Sequence, residues 1–189
     1  MSGRSEVSPP SADAARPRTC PKCGQPAYER GAVWIHGHGV VQRQQRGPVA
    51  PGGVGVKREV ACRRYRCKAC TAVLTVLPEA ALARRHFSGA AMALALALWG
   101  LCGWSAAQVR ALVGGRMQAG GPSRGWRTLA RWARQVADGT LWASLDSRAQ
   151  GEPRQVAARV AQALCGLAPP WARAAGLPHQ AFAGASHVN

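Results

Sequence analysis

The chain has 189 residues, room for one domain or two small ones, and carries 25 Lys and Arg against 8 Asp and Glu, a formal net charge of +17. That balance favours a polyanionic partner, nucleic acid first and anionic membrane second. The start, MSGRSEVSPPSADAARPRT, has no apolar core of the kind a secretory leader needs, so the seven cysteines point to metal before disulfides.

In chain order, residues 1–18 are rich in Ser, Ala, Pro and Arg and are expected to be a disordered tail. From residue 19 to 78 the texture is strand and turn. AVWIHGHGVVQRQ (32–44) and VGVKREVACRRYR (54–66) are rich in β-branched and aromatic residues and read as strands. RGPVAPGG between them reads as an exposed loop, and TAVLTVLP (71–78) as a last short strand stopped by Pro78.

Beyond residue 79 the period becomes helical. Ser88 is placed to cap a helix running to about Trp99, with Gly100 and Gly103 at its end. The segment from Phe87 to Val109 carries no charge and could span a bilayer by length. Its Gly, Ser, Gln and Trp interruptions and its reliance on Ala predict a buried helix instead, and no membrane association is expected. Ser105 and Gln108 form a capping-box pattern for a second helix ending at Gly114 and Gly115. SRGWRTLARWARQVADG (123–139) is the third. A short helix around 140–149 and another from Pro153 to Cys165 follow, the latter with Val156, Val160 and Leu164 on one face. The remainder to residue 189 is expected to be a flexible tail. The predicted fold class is α+β, a small β module followed by a helical domain, with boundaries at 1–18, 19–78, 79–139 and 140–189.

Two Cys-x-x-Cys pairs, Cys20 with Cys23 and Cys67 with Cys70, offer the four soft ligands of a structural tetrahedral zinc site. Gly24 after the first pair tolerates the backbone conformation such a knuckle needs. Thr71 takes the equivalent place after the second pair and fits it less well. The spacing between the pairs exceeds the usual ~15–20 residues, so strands must lie between the knuckles. Cys62 is a nearby fifth thiol, either a strand residue or an alternative ligand. His36 and His38 lie two apart on a strand and point the same way, toward one metal or, as favoured here, toward a surface role such as phosphate contact. A thioredoxin-like dithiol at Cys20 and Cys23 is the rival reading, but the βαβ setting of that chemistry is missing.

Arg64, Arg66 and Lys68 surround Cys67 in RYRCKAC (64–70) and give the β module a basic surface. On the third helix, Trp126, Leu129, Ala133 and Val136 fall on one stripe, and Arg124, Arg127, Arg131 and Arg134 on another. No acid interrupts the basic stripe before Asp138, whereas a solvated helix face usually mixes signs. Thr128 and Gln135 flank it, where they could read base edges. Ser105–Val113 and Ser123–Val136 make a helix-turn-helix-like pair, although GGRMQAGGP between them is longer than a tight turn.

Together the Cys-Pro-Lys-Cys-Gly knuckle, the His/Gly strand, RYRCKAC, VLP, GWS and GWRTLARWARQV resemble the N-terminal module of bacterial insertion-sequence transposases. The resemblance covers roughly residues 19 to 137, and RYRCKAC and TLARW are its most specific parts. It implies a zinc ribbon followed by a helix-turn-helix. Cys20, Cys23, Cys67 and Cys70 would hold Zn²⁺, and residues Thr128 to Arg134 would enter the major groove of double-stranded DNA. The three carboxylates that such transposases need for phosphoryl transfer are not in prospect, since Asp138, Asp146 and Glu152 crowd together at predicted helix ends. The expectation is a DNA-binding protein with no catalytic activity, cytoplasmic and nucleoid-associated. A separate catalytic subunit and a homodimer stay open as partners. The alternatives are a zinc-containing transcriptional regulator and a zinc-ribbon adaptor that binds protein. Cys102 and Cys165 have no evident base beside them and read as packing or surface thiols. His86, His179 and His187 have no assigned role.

Overall fold

A computed structural model describes residues 10–78, 81–82, 85–114, 126–145 and 150–188. It is mixed α+β, with two small sheets followed by helices. The chain clusters into two compact units, residues 1–45 with 58–78, and residues 46–57 with 79–189.

In the first unit β1 (Tyr28–Glu29) and β2 (Ala32–Val33) form a two-stranded antiparallel sheet. β3 (Ile35–Gly47), β4 (Val56–Cys67) and β5 (Val73–Val76) form a second sheet in that order. β5 pairs antiparallel with β4, Arg64 opposite Thr75 and Tyr65 opposite Leu74. Alternation then puts Tyr65 on the buried face and Arg64 and Arg66 on the other. The core is small: Cys20, Ala27, Ile35, Tyr65 and Cys67 are buried, with Leu74 and Val76 packed against them.

The tail expected to be disordered is ordered from Pro10 on, and residues 1–9 lie outside the described set. Tyr65 Oη donates to the Ala12 carbonyl at 2.6 Å, and Arg63 Nε to that of Pro10 at 2.7 Å. Arg16 pairs with Asp13 at 2.7 Å and lies over the Tyr28 ring. A buried phenol needs a partner, and this segment's backbone supplies it.

The second unit is built around α1 (Gly89–Gly100). Its residues from Ala91 to Leu98 are all buried, as an uncharged helix without a polar side must be. No helix of the described residues is long and apolar enough to cross a membrane. Ser88, itself buried, caps the helix by accepting the Ala91 N–H at 3.1 Å. Replacing Ser88 by Ala is expected to cost about 1 kcal/mol, a fall of roughly 2–4 °C in Tm for a chain of this size; a calorimetric scan measures it.

α2 (Ala106–Val113) carries the expected capping box, Ser105 and Gln108 exchanging bonds. α3 (Thr128–Ala137) buries Leu129, Ala133 and Val136 as expected and also Trp132, while Trp126 is half-buried. Phe87, Trp126 and Trp132 meet edge-to-face, with ring centroids 5.2–5.8 Å apart. α4 (Pro153–Gly166) starts on its proline and buries Val156, Val160 and Leu164.

Two expectations change here. Residues 141–145 form turns rather than a helix, and 146–149 lie outside the described set. The segment expected to be a flexible tail instead contains a 3₁₀ turn (Pro170–Ala172) and α5 (Leu177–Gly184), and places Ala181, Ala185 and Val188 in the core. Small residues make this possible. A Cβ on Gly184 would stand 1.9 Å from the Leu164 carbonyl oxygen, and one on Gly100 would stand 2.4 Å from the Ala158 nitrogen. These backbones touch directly, which an apolar-periodicity reading cannot detect.

α2 and α3 both form, but α1 packs chiefly on α4 and α5, and α3 packs chiefly on α4. Among the described residues, the other four helices thus gather around α1, with α2 and α3 among them. The connection at 115–125, which contains Arg124, lies outside the described residues. Residues 46–57, assigned by sequence to the β module, group with the helices. There Arg46 N–H donates to the His86 carbonyl at 2.6 Å, and Gly55 N–H to that of Leu112 at 2.7 Å.

Candidate metal centre and basic surfaces

The two Cys-x-x-Cys turns have the same backbone design. The Cys20 N–H donates to the Gln25 carbonyl at 2.8 Å, and the Cys67 N–H to the Ala72 carbonyl at 3.0 Å, each bond closing the turn five residues on. The fourth residue after the first cysteine is left-handed in both, Gly24 at φ 74° and Thr71 at φ 59°. For β-branched Thr71 that conformation is strained, and only the surrounding turn holds it. Thr71→Gly is expected to stabilise the metal-loaded protein by roughly 0.5–1 kcal/mol, measured by denaturant titration.

Trp34 links the turns. Its N–H donates to Ala27, beyond the first turn, at 2.8 Å, and its carbonyl accepts from Lys68, inside the second, at 2.8 Å. This backbone bridge has no signature in the sequence, because any residue type could make it.

As a result, the sulfurs of Cys20, Cys23, Cys67 and Cys70 all lie within 4.8 Å of one another. Cys20 Sγ is 3.7 Å from Cys70 Sγ, and Cys23 Sγ is 3.8 Å from Cys67 Sγ. A disulfide would require ~2.05 Å. Four sulfurs at ~2.3 Å from a central ion make a tetrahedron with edges of ~3.8 Å, so the observed separations fit one metal ion. Cys20 and Cys67 are buried, Cys70 is half-buried and Cys23 is exposed.

The thiols behave unequally. Burial raises the Cys20 thiol, but N–H bonds from Lys22 and Cys23 and contacts with the sulfurs of Cys23 and Cys70 bring it down to about 7. The Gln25 N–H lowers Cys23, but burial and the sulfurs of Cys70, Cys20 and Cys67 push it up to about 12. One proton leaves easily and another is held, as crowded like charges require without a cation among them. A divalent ion at the centre removes that conflict.

The other candidate ligands stay out of the cluster. Cys62 is buried, its Sγ lies 3.6 Å from the Val60 carbonyl, and burial pushes its thiol up against the charge of Arg43. His36 and His38 line a cleft beside the second turn without joining the four sulfurs. Among the described residues, no other group of three or more Cys, His, Asp or Glu could hold a metal ion.

Two basic surfaces stand in different units. Arg66 is exposed and Arg64 half-buried on the outward face of β4 and β5. Arg131 and Arg134 on α3, and Arg127 at its N-cap, are exposed on one side, opposite the buried Leu129, Trp132, Ala133 and Val136. Thr128 is half-buried. Gln135, read as a base-edge contact, accepts a hydrogen bond from Arg85 Nη1 at 2.6 Å. Sequence reasoning overlooked Arg85, which is remote from α3 along the chain. Asp138, the exposed acid at the end of α3, bonds within its own loop. It accepts the Thr140 hydroxyl at 2.6 Å and the Thr140 N–H at 3.0 Å, and these bonds, with the charge of Arg85, hold its carboxyl below the usual range.

Comparison of the chain with protein-family models, with curated proteins and with solved structures gave no match.

Proposed function

We propose that this chain is a double-stranded DNA-binding protein in which zinc, held by Cys20, Cys23, Cys67 and Cys70, fixes a ribbon-like β unit and α3 carries the main basic contact surface. The observation that carries this reading is the row of Arg127, Arg131 and Arg134, all exposed along a helix and its N-cap, with no carboxylate between Thr128 and Ala137. A one-signed row of guanidiniums on a rigid, packed helix suits phosphates and guanine edges. Arg64 and Arg66 offer a second contact surface. Zinc is the metal of choice because four thiolates in a tetrahedron match its preferences, and its role is structural, since all four positions are filled by protein.

The chain fits the recognition half of an insertion-sequence transposase. A separate catalytic subunit would complete such a system.

Duplex binding measured between about 50 and 200 mM salt tests the reading. Affinity should fall steeply, with a log–log slope of about −0.9 for each phosphate neutralised. A flat salt response would favour a protein-binding adaptor. Selection of bound fragments from a genomic pool then separates the remaining readings. Terminal inverted repeats support the mobile-element role, and promoter sites support a transcriptional regulator.

A further inference from the structure

We propose that the cleft beside the second cysteine turn is an oxyanion site for one phosphate group, with His36 as its inner hydrogen-bond donor. It deepens the DNA-binding reading and rests on it for the source of the phosphate.

The cleft is open to solvent, holds about 360 Å³ and is lined by His36 and His38 from β3, by Arg66 and the candidate metal ligand Cys67 at the end of β4, and by Lys68 and Thr71 from the turn that follows. No carboxylate lines it. His36 Nε2 is buried and finds no hydrogen-bond partner among the described residues. A buried polar atom left unpaired is costly, and such an exception in a folded chain calls for an explanation. His36 lines a cleft whose rim carries an exposed guanidinium and an exposed ammonium, an arrangement suited to an acceptor with negative charge. Phosphate oxygens meet that description. His38, two residues along the same strand, stands at the exposed rim on the same side as His36.

The neighbouring metal centre does not absorb this positive charge. Four thiolates around one dication leave two negative charges, and Lys22, Arg64, Arg66 and Lys68 outnumber them. The surplus cations are available to an external anion.

The test uses the full chain loaded with zinc. Imidazole NMR signals are followed while inorganic phosphate is added at constant ionic strength, and again while a short duplex is added. Duplex affinity and salt slope are then compared for the parent, Lys68→Ala and His36→Leu chains. The expected result is a saturable shift of the His36 ring signals with both probes. His36→Leu should weaken duplex binding about tenfold, and Lys68→Ala should make the salt slope shallower by about 0.9. Lys68 is exposed, so its variant decides the matter even if His36→Leu disturbs the fold. A His36 signal that answers neither probe overturns the site. So does a Lys68→Ala chain with the parent's affinity and slope; duplex binding retained there leaves the DNA reading intact without this cleft. A phosphate response with no duplex binding keeps the site, assigns it to free phosphate, and removes the DNA reading.

Discussion

Cys67→Ser, or treatment of the protein with a strong chelator, is expected to unfold the β unit and leave the helical unit folded. Hydrogen exchange read by mass spectrometry should lose protection across β3, β4 and β5 and keep it in α1 and α4. The reason is the size of the core. Among the described residues its core cluster buries only Ala27, Ile35 and Tyr65 beside Cys20 and Cys67, with Ala61 and Cys62 buried elsewhere in the unit, and a core of that size does not hold a β unit together without a staple. A structural zinc site contributes roughly 10–16 kcal/mol at neutral pH, far more than these side chains supply. Cys67 is the more informative ligand to change because it is buried and ends β4. The metal must also displace protons. Cys20, brought down to about 7, gives its proton up readily, whereas Cys23, pushed up to about 12, yields its own only to the cation. Affinity should therefore weaken as pH falls, since protons compete for thiolates that the metal needs. Unchanged protection in the Cys67→Ser chain would show that the sheet stands without the metal.

The second large effect is expected on DNA. Changing Arg127 and Arg131 together to Ala should weaken duplex binding at ~0.1 M salt by tenfold or more and make the salt slope shallower by about 1.8, or 0.9 per lost phosphate contact. Both side chains are exposed, and the buried side of the helix is untouched, so helix content should not change. The pair tests a surface rather than one contact, because the two guanidiniums stand one turn apart on the same face. If affinity and slope both match the parent, α3 is not part of the interface, and the outward face of β4 and β5, with Arg64 and Arg66, becomes the remaining candidate.

What the sequence revealed divides along physical lines. Local chemistry was legible. Ser88, Ser105 and Gln108 announced their caps, because a side-chain oxygen beside a first turn has an obvious use. Pro153 marked the start of α4. The cluster of four cysteines that could hold a metal ion was legible because Cys-x-x-Cys carries its own short-range geometry, and Gly24 and Thr71 turned out to share the left-handed position that spacing suggested. Tertiary placement was not legible. α5 packs through Gly184, Ala181 and Ala185, whose side chains are too small to write an apolar stripe. Residues 46–57 read as a loop of the β module, yet their backbone bonds run to His86 and Leu112. Trp132 was left out of the packing stripe of α3, although it is buried there and meets Phe87 edge-to-face. Gln135 looked free to read bases until Arg85, distant in sequence, took up its oxygen.

The central claim is that four sulfurs from two distant turns converge on one metal ion and so fix the scaffold that meets DNA. X-ray absorption at the zinc edge, combined with metal analysis of the purified chain, tests it most directly. The account predicts one zinc per chain with four sulfur neighbours at ~2.3 Å and no nitrogen or oxygen in the shell. A chain without bound metal, or a shell that includes histidine nitrogen in place of one of these cysteines, would contradict it.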